Sequence, residues 1–266
     1  MLRKSPAYSV ETTARDAGLH APISLPVPLT RNWLRHRSLM KGFVKYILLA
    51  IFIMCSINSF AQKNDFYISE ISDELFEKMQ GKSYKADCPI PREDLRYVHV
   101  LHKTLDGGTK EGELVCHNII AQDLLEIFLE LYLRDYPIEK ICLVDDYDAD
   151  DEKSMTDNNS SCFNYRTISF SNKISKHGLG VAVDINPLYN PYVKTVDGRQ
   201  NVEPLAGKPY LNRDDDFPYK IDENDLCYRL FTEHGFEWGG EWTSCKDYQH
   251  FELPDSKADI LRQIYG

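Results

Sequence analysis

Residues 181–185 read VAVDI, and this short run restricts the fold more than any other part of the chain. Alternate residues of a strand share a face, so Val181, Val183 and Ile185 point one way while Ala182 and Asp184 point the other. Three β-branched side chains on one face call for a hydrophobic layer beneath them. Asp184 then projects from the opposite face with only a methyl group beside it, which leaves room for something the carboxylate binds. His177 stands seven residues earlier in SKHGLGVAVDINPLYNPY and enters the strand through two glycines.

A second segment, GFEWGGEWTSCKDYQHFEL at 235–253, ends in another expected strand. There His250 and Glu252 share one face and Phe251 and Leu253 the other, with Asp247 in the approach loop. Two neutral imidazoles, His177 and His250, and one carboxylate, Asp184, make a ligand set that suits one zinc ion with a fourth position left to water. Zinc lowers the pKa of such a water to about 7, so a nearby carboxylate can take its proton during attack on a carbonyl. Asp247 is placed for that base role, and Arg166 from FNYR for steadying an oxyanion. Each residue has a plainer reading when taken alone. A histidine often only completes a polar network, Arg166 would be an exposed ion-pair partner, and Asp247 a loop or cap residue. Trp238 and Trp242 would be core or rim aromatics.

The chain around these segments has 266 residues, 42% hydrophobic and 27% charged, enough for one sizeable core. Residues 40–61 read as a secretory signal peptide: Lys41 and Lys45, an apolar run of about a dozen residues too short to span a bilayer, then Ser59 and Ala61 before a cut at Gln62. Residues 1–39 sit upstream of that signal as a mis-called start and receive no role. The expected division continues with a polar lead-in at 62–94 and a single domain at 95–266. The expected location is therefore periplasmic or secreted, with no stable membrane insertion once the signal is removed.

From residue 62 on the chain carries 23 basic and 39 acidic side chains, a formal balance of −16 that repels nucleic acid and anionic membranes. Cys88, Cys116, Cys142, Cys162, Cys227 and Cys245 remain after the signal. Six cysteines allow 15 pairings and the sequence selects none.

The periodicity predicts a short helix around 72–79, a strand at 97–101 and a turn at Asp106, Gly107 and Gly108. A helix at 118–133 carries Ile119, Ile120, Leu124, Ile127, Phe128 and Leu131 as its buried stripe. A short strand follows at 138–144. DDYDADDEKSMTDNNSS at 145–161 reads as a solvated acidic loop rather than a calcium site, since EF-hand spacing is missing. A helix at 222–234 stops at Gly235, and the long stretch 187–218 reads as loops shaping a cleft. Strands and helices in mixed order predict an α+β fold.

The combination SxHGxGxAxDIN, then WGGxWxxxxDxxHFE about sixty residues later, resembles the zinc D-alanyl-D-alanine carboxypeptidase and L-alanyl-D-glutamate endopeptidase family. That family includes the vancomycin-resistance dipeptidases and certain phage endolysins. NNSSCFNYR at 158–166 resembles the family's segment ahead of the first ligand, and the likeness spans roughly 118–252. It implies a compact α+β domain with a small antiparallel sheet holding zinc, of the hedgehog/DD-peptidase type, acting on the stem peptides of peptidoglycan. By the same resemblance His177, Asp184 and His250 match the zinc ligands, Asp247 the catalytic acid/base and Arg166 the arginine that polarises the scissile carbonyl. Ser175, Trp242 and Tyr248 are the expected substrate contacts. Asp in place of Glu at the base position resembles the endolysin-like branch, whereas Gln249 departs from the Pro that branch places before the metal histidine. The alternative from another class is a cell-wall peptide-binding module with a structural or vestigial zinc, and a third reading is an α+β domain without metal.

Overall fold

The computed structural model describes residues 65–168 and 171–265, so the expected signal at 40–61 and the segment 1–39 lie outside the described residues. In chain order the elements are β1 (Tyr67–Glu70), α1 (Asp73–Met79), β2 (Leu95–Lys103), β3 (Thr109–His117), α2 (Asn118–Leu133), β4 (Lys140–Ile141), α3 (Asp151–Thr156) and β5 (Asn159–Ser160). They continue with β6 (Ala182–Asp184), β7 (Tyr192–Val196), β8 (Arg199–Glu203), α4 (Leu226–Glu233), β9 (Glu237–Trp238), β10 (Lys246–Asp247), β11 (His250–Glu252) and α5 (Asp255–Tyr265). Small antiparallel sheets flanked by helices make this an α+β fold, as predicted. None of the described helices is long and apolar enough to cross a membrane.

The first sheet, β1-β2-β3, is antiparallel throughout, with β2 and β3 joined by the predicted turn at Asp106 and Gly107. From residue 65 on, the stretch expected as a lead-in contributes β1, α1 and the buried side chains Phe66, Ile71, Met79 and Ile90. Ser72 caps α1 by accepting from the backbone N–H of Leu75 at 3.1 Å.

Helix α2 has the predicted bounds. Its buried stripe starts one residue later than predicted, because Ile119 is exposed while Ile120, Leu124, Ile127, Phe128 and Leu131 are buried. Those five recur at three and four residues, and Ile119 does not share their face.

The second sheet, in the order β6-β11-β9, is the one the VAVDI run requires. Beneath it Val181, Val183, Ile185, Phe251 and Leu253 are buried. Phe251 stacks on Phe231 of α4 with ring centroids 4.3 Å apart, and Phe231 meets Phe128 of α2 edge to face at 6.5 Å. The core thus runs without a break from the first helix layer to the underside of this sheet.

Three expectations are corrected. The acidic stretch 145–161 is neither irregular nor uniformly solvated. It forms a 3₁₀ turn over Val144–Tyr147, then α3 and β5. Its carboxylates are committed: Asp145 is buried and accepts from the N–H and hydroxyl of Ser83 at 3.1 and 3.0 Å, and Asp150 caps α3 through the N–H of Lys153. Asp146 and Asp148 pair with Lys78 and Lys82 at 2.7 and 2.8 Å. The stretch 187–218 is likewise not all loop, since it contains the β7-β8 hairpin, to which β10 adds a third strand. The predicted strand at 138–144 is reduced to β4, and all six cysteines are free.

Candidate metal centre and cleft

The register of β6 and β11 sets Asp184 directly opposite His250, and Ala182 opposite Glu252. The neighbouring Val183 and Phe251 face the core, so the pleat itself aims the two ligand candidates at the other side. His177 arrives from a turn rather than a strand. The turn closes at Gly180, whose φ of +69° is in the left-handed region and whose carbonyl accepts from the backbone N–H of His117 at 2.8 Å. A Cβ at that position would lie 2.7 Å from the His117 nitrogen, so the glycine is required for this approach.

The ligand atoms of His177, Asp184 and His250 all lie within 4.8 Å of one another. His177 Nε2 is 3.1 Å from His250 Nδ1 and 3.2 Å from Asp184 Oδ2, and His250 Nδ1 is 2.9 Å from Asp184 Oδ1. A tetrahedral ion with bonds near 2 Å separates its donors by roughly 3.3 Å, so these spacings fit a small divalent cation.

The hydrogen bonds behind the ligands make the same case. His177 Nδ1 lies 2.7 Å from the Cys162 carbonyl, which can only accept, so the proton sits on Nδ1 and Nε2 keeps its lone pair. His250 Nε2 donates to Glu252 Oε2 at 2.9 Å, which leaves Nδ1 facing inward. Two lone-pair nitrogens 3.1 Å apart repel unless a cation or a proton stands between them. In the metal-free protein that proton is held tightly. Burial disfavours an imidazolium at His250, but its hydrogen bonds to the carboxylates of Asp184 and Glu252 outweigh it and push the ring up to about 10. Burial would likewise raise the Asp184 carboxyl, yet His177 and His250 hold it well below the usual carboxylate range. A cation entering here displaces a proton.

These side chains line a cleft of about 920 Å³ together with Asp247, Arg166, Ser175 and Trp242. A second groove of about 500 Å³ lies against β1 and α1 and holds none of the ligand candidates. Asp247, expected in a loop, stands on β10, and Gly239 backs it so closely that a Cβ there would lie 2.6 Å from the Asp247 carbonyl. The residue keeps some contact with the cleft, but its Oδ1 is enclosed and has no hydrogen-bond partner. Burial first of all, opposed by His250 and assisted by Asp184, pushes its carboxyl up to about 7.

Arg166 donates from Nε to Asp151 at 2.8 Å, and its Nη1 lies 3.5 Å from Ser175 Oγ. The hydroxyl of Ser175 accepts from the Gly178 N–H at 2.9 Å, so it caps the histidine turn while lining the cleft. Trp242 sets its ring 5.5 Å from that of His250. Tyr248 does not line the cleft: its ring packs under the Arg213 guanidinium at 4.4 Å and against Trp238 at 6.0 Å. Tyr248 stands in the two-residue turn between β10 and β11, and its backbone carbonyl accepts from Trp238 Nε1 at 2.9 Å.

Three contributors had no assigned role in the sequence. Lys176 pairs with Glu252 Oε1 at 2.7 Å and with Asp255 at 3.1 Å, both within reach because α5 follows β11 directly. Glu252 shares a strand face with His250, the one signal that could have found it. Asn186, at φ +46°, ends β6; its side chain accepts from Glu139 N–H and donates to the Pro137 carbonyl.

Residues 169–253, about a third of the chain, match the family described as D-alanyl-D-alanine carboxypeptidase. The match includes Ser175, His177, Asp184, Trp242, Asp247 and His250, and begins three residues after Arg166. The resemblance drawn from the motifs is borne out over this segment, which is shorter than 118–252. Comparison with curated proteins and with solved structures gives no match.

Proposed function

We propose that this chain is an exported zinc peptidase that hydrolyses an amide bond in the stem peptides of peptidoglycan. The observation that supports it best is the convergence of His177, Asp184 and His250 in a cleft that also holds Asp247 and Arg166. The donor set and its spacing suit zinc, and His177, Asp184 and His250 would hold it. When bound, zinc supplies Lewis acidity and brings the pKa of water to about 7.

The protein's own side chains account for the rest. Asp247, which lines the cleft with the three ligand candidates, accepts the proton of the attacking water and returns it to the departing amine. Arg166, held in orientation by Asp151, presents its remaining N–H groups to the oxygen of the scissile carbonyl, where negative charge develops. Glu252 and the Cys162 carbonyl fix the two imidazole tautomers. The signal at 40–61 would deliver the domain to the compartment where this substrate lies.

The test is incubation of purified residues 62–266 with defined stem peptides, read by mass spectrometry. Cleavage that stops with a chelator and returns with zinc is the expected result. Cleavage that persists in the chelator excludes the mechanism, and zinc-dependent peptide binding without cleavage points to the binding-module alternative.

A further inference from the structure

The β7-β8 hairpin forms one wall of the cleft and carries a feature the catalytic reading does not use. Its register pairs Tyr192 with Glu203 and Lys194 with Asn201, and all four of these residues line the cleft. Val202, on the other face, is buried. The hairpin therefore turns a polar face to whatever occupies the cleft.

Among the described residues five lysine and arginine side chains line this cleft, and four are committed to acids of the chain itself. Arg166 pairs with Asp151 at 2.8 Å, Lys173 with Asp259 at 3.1 Å, Lys176 with Glu252 at 2.7 Å, and Arg262 with Asp259 at 2.7 Å. Lys194 has no hydrogen-bond, ion-pair or ring partner among the described residues, in a chain with ten more acidic than basic side chains. Its cross-strand neighbour Asn201 lines the same wall of the cleft and donates to Glu203 at 2.7 Å. A lone cation beside an amide on a cleft wall suits a carboxylate that the ligand brings.

We propose that Lys194, with Asn201, is the subsite for a free carboxylate of the substrate and selects peptides that carry one. The inference rests on the peptidase reading for the class of peptide, and the chemistry it names is the carboxylate itself. Stem peptides with lysine at the third position offer that group at two places, the C-terminus and the α-carboxyl of a γ-linked D-glutamate. Lys194 holds the substrate and takes no part in bond cleavage, so it governs affinity rather than the chemical step.

The experiment uses residues 62–266 loaded with zinc and carrying Asp247→Asn, so that binding is read without turnover. Four synthetic stem pentapeptides are titrated by calorimetry: both carboxyls free, C-terminal carboxamide, D-glutamate carboxamide, and both amidated. We expect one of the two single amides to bind roughly tenfold more weakly than the free acid, the scale of one charge-assisted contact at a partly solvated site. The amide that weakens identifies the source. Adding Lys194→Met should abolish the discrimination and Lys194→Arg should retain it. Equal affinity for all four peptides, or a preference that survives in Lys194→Met, overturns the inference. Failure of the peptidase reading shows separately, as peptides left intact by the zinc-loaded protein with Asp247 present.

Discussion

Glu252 uses both oxygens at once: Oε1 lies 2.7 Å from Lys176 Nζ, and Oε2 receives the N–H of His250 Nε2 at 2.9 Å. The carboxylate is thereby held by one buried cation while it holds one ligand ring. Glu252→Gln keeps the shape but offers an amide where an anion stood. Zinc affinity measured by competition with a chromogenic chelator should fall about 10- to 100-fold. An unchanged affinity would mean that the tautomer of His250 is set by something else.

Asp247→Asn should bind zinc as the unaltered protein does and lose about 10²- to 10⁴-fold in kcat on stem peptides. Metal content and rate measured on the same sample separate the two effects. A loss of zinc together with rate would make Asp247 a ligand, not a base.

The same residue predicts how stability depends on pH in metal-free protein. Its carboxyl has an ordinary value of 3.8 in the unfolded chain and is pushed up to about 7 in the folded one, burial being the main cause. Between those values the folded state holds a proton that the unfolded state has released. The contribution of Asp247 is therefore fully present below 3.8 and is lost as pH rises through about 7. Relative to the unaltered protein, Asp247→Asn should become more stabilising from pH 4 to pH 8 and then level off. Urea midpoints at several pH values test it, and a difference that shrinks over that range would contradict the buried-carboxyl account.

Phe251 sits between the two site residues of β11 and stacks on Phe231. Phe251→Ala should cost about 3–5 kcal/mol in urea unfolding through the cavity it leaves. Phe251→Leu should cost less and retain zinc binding, showing that the aromatic holds the strand in place without touching the metal.

The parts legible in the sequence were those with a strong period or fixed spacing. The stripe of α2 and the alternation of VAVDI and HFEL each place side chains on a face, and two of the ligand positions follow directly. His177 has no period to place it, because it stands in a turn; it entered the ligand set through its residue type and its spacing from Asp184, and the motif likeness then matched it.

The β7-β8 hairpin went unread although Asp197 and Gly198, with φ of +49° and +74°, form the Asp-Gly turn that marks a hairpin. The prolines on either side made the stretch look like loop. The acidic segment misled for a different reason: its charge implied solvent, but its partners Lys78, Lys82 and Ser83 are distant in sequence and only the fold brings them near. Lys176 gave no signal at all.

The pairing of His250 with Asp184 across two short strands would make a bound ion an inspector of folding. A slip of one residue in β11 would turn His250 and Glu252 toward the core and bring Phe251 to the surface. No chain paired in that way could capture the ion, so only correctly zipped molecules would be locked by it.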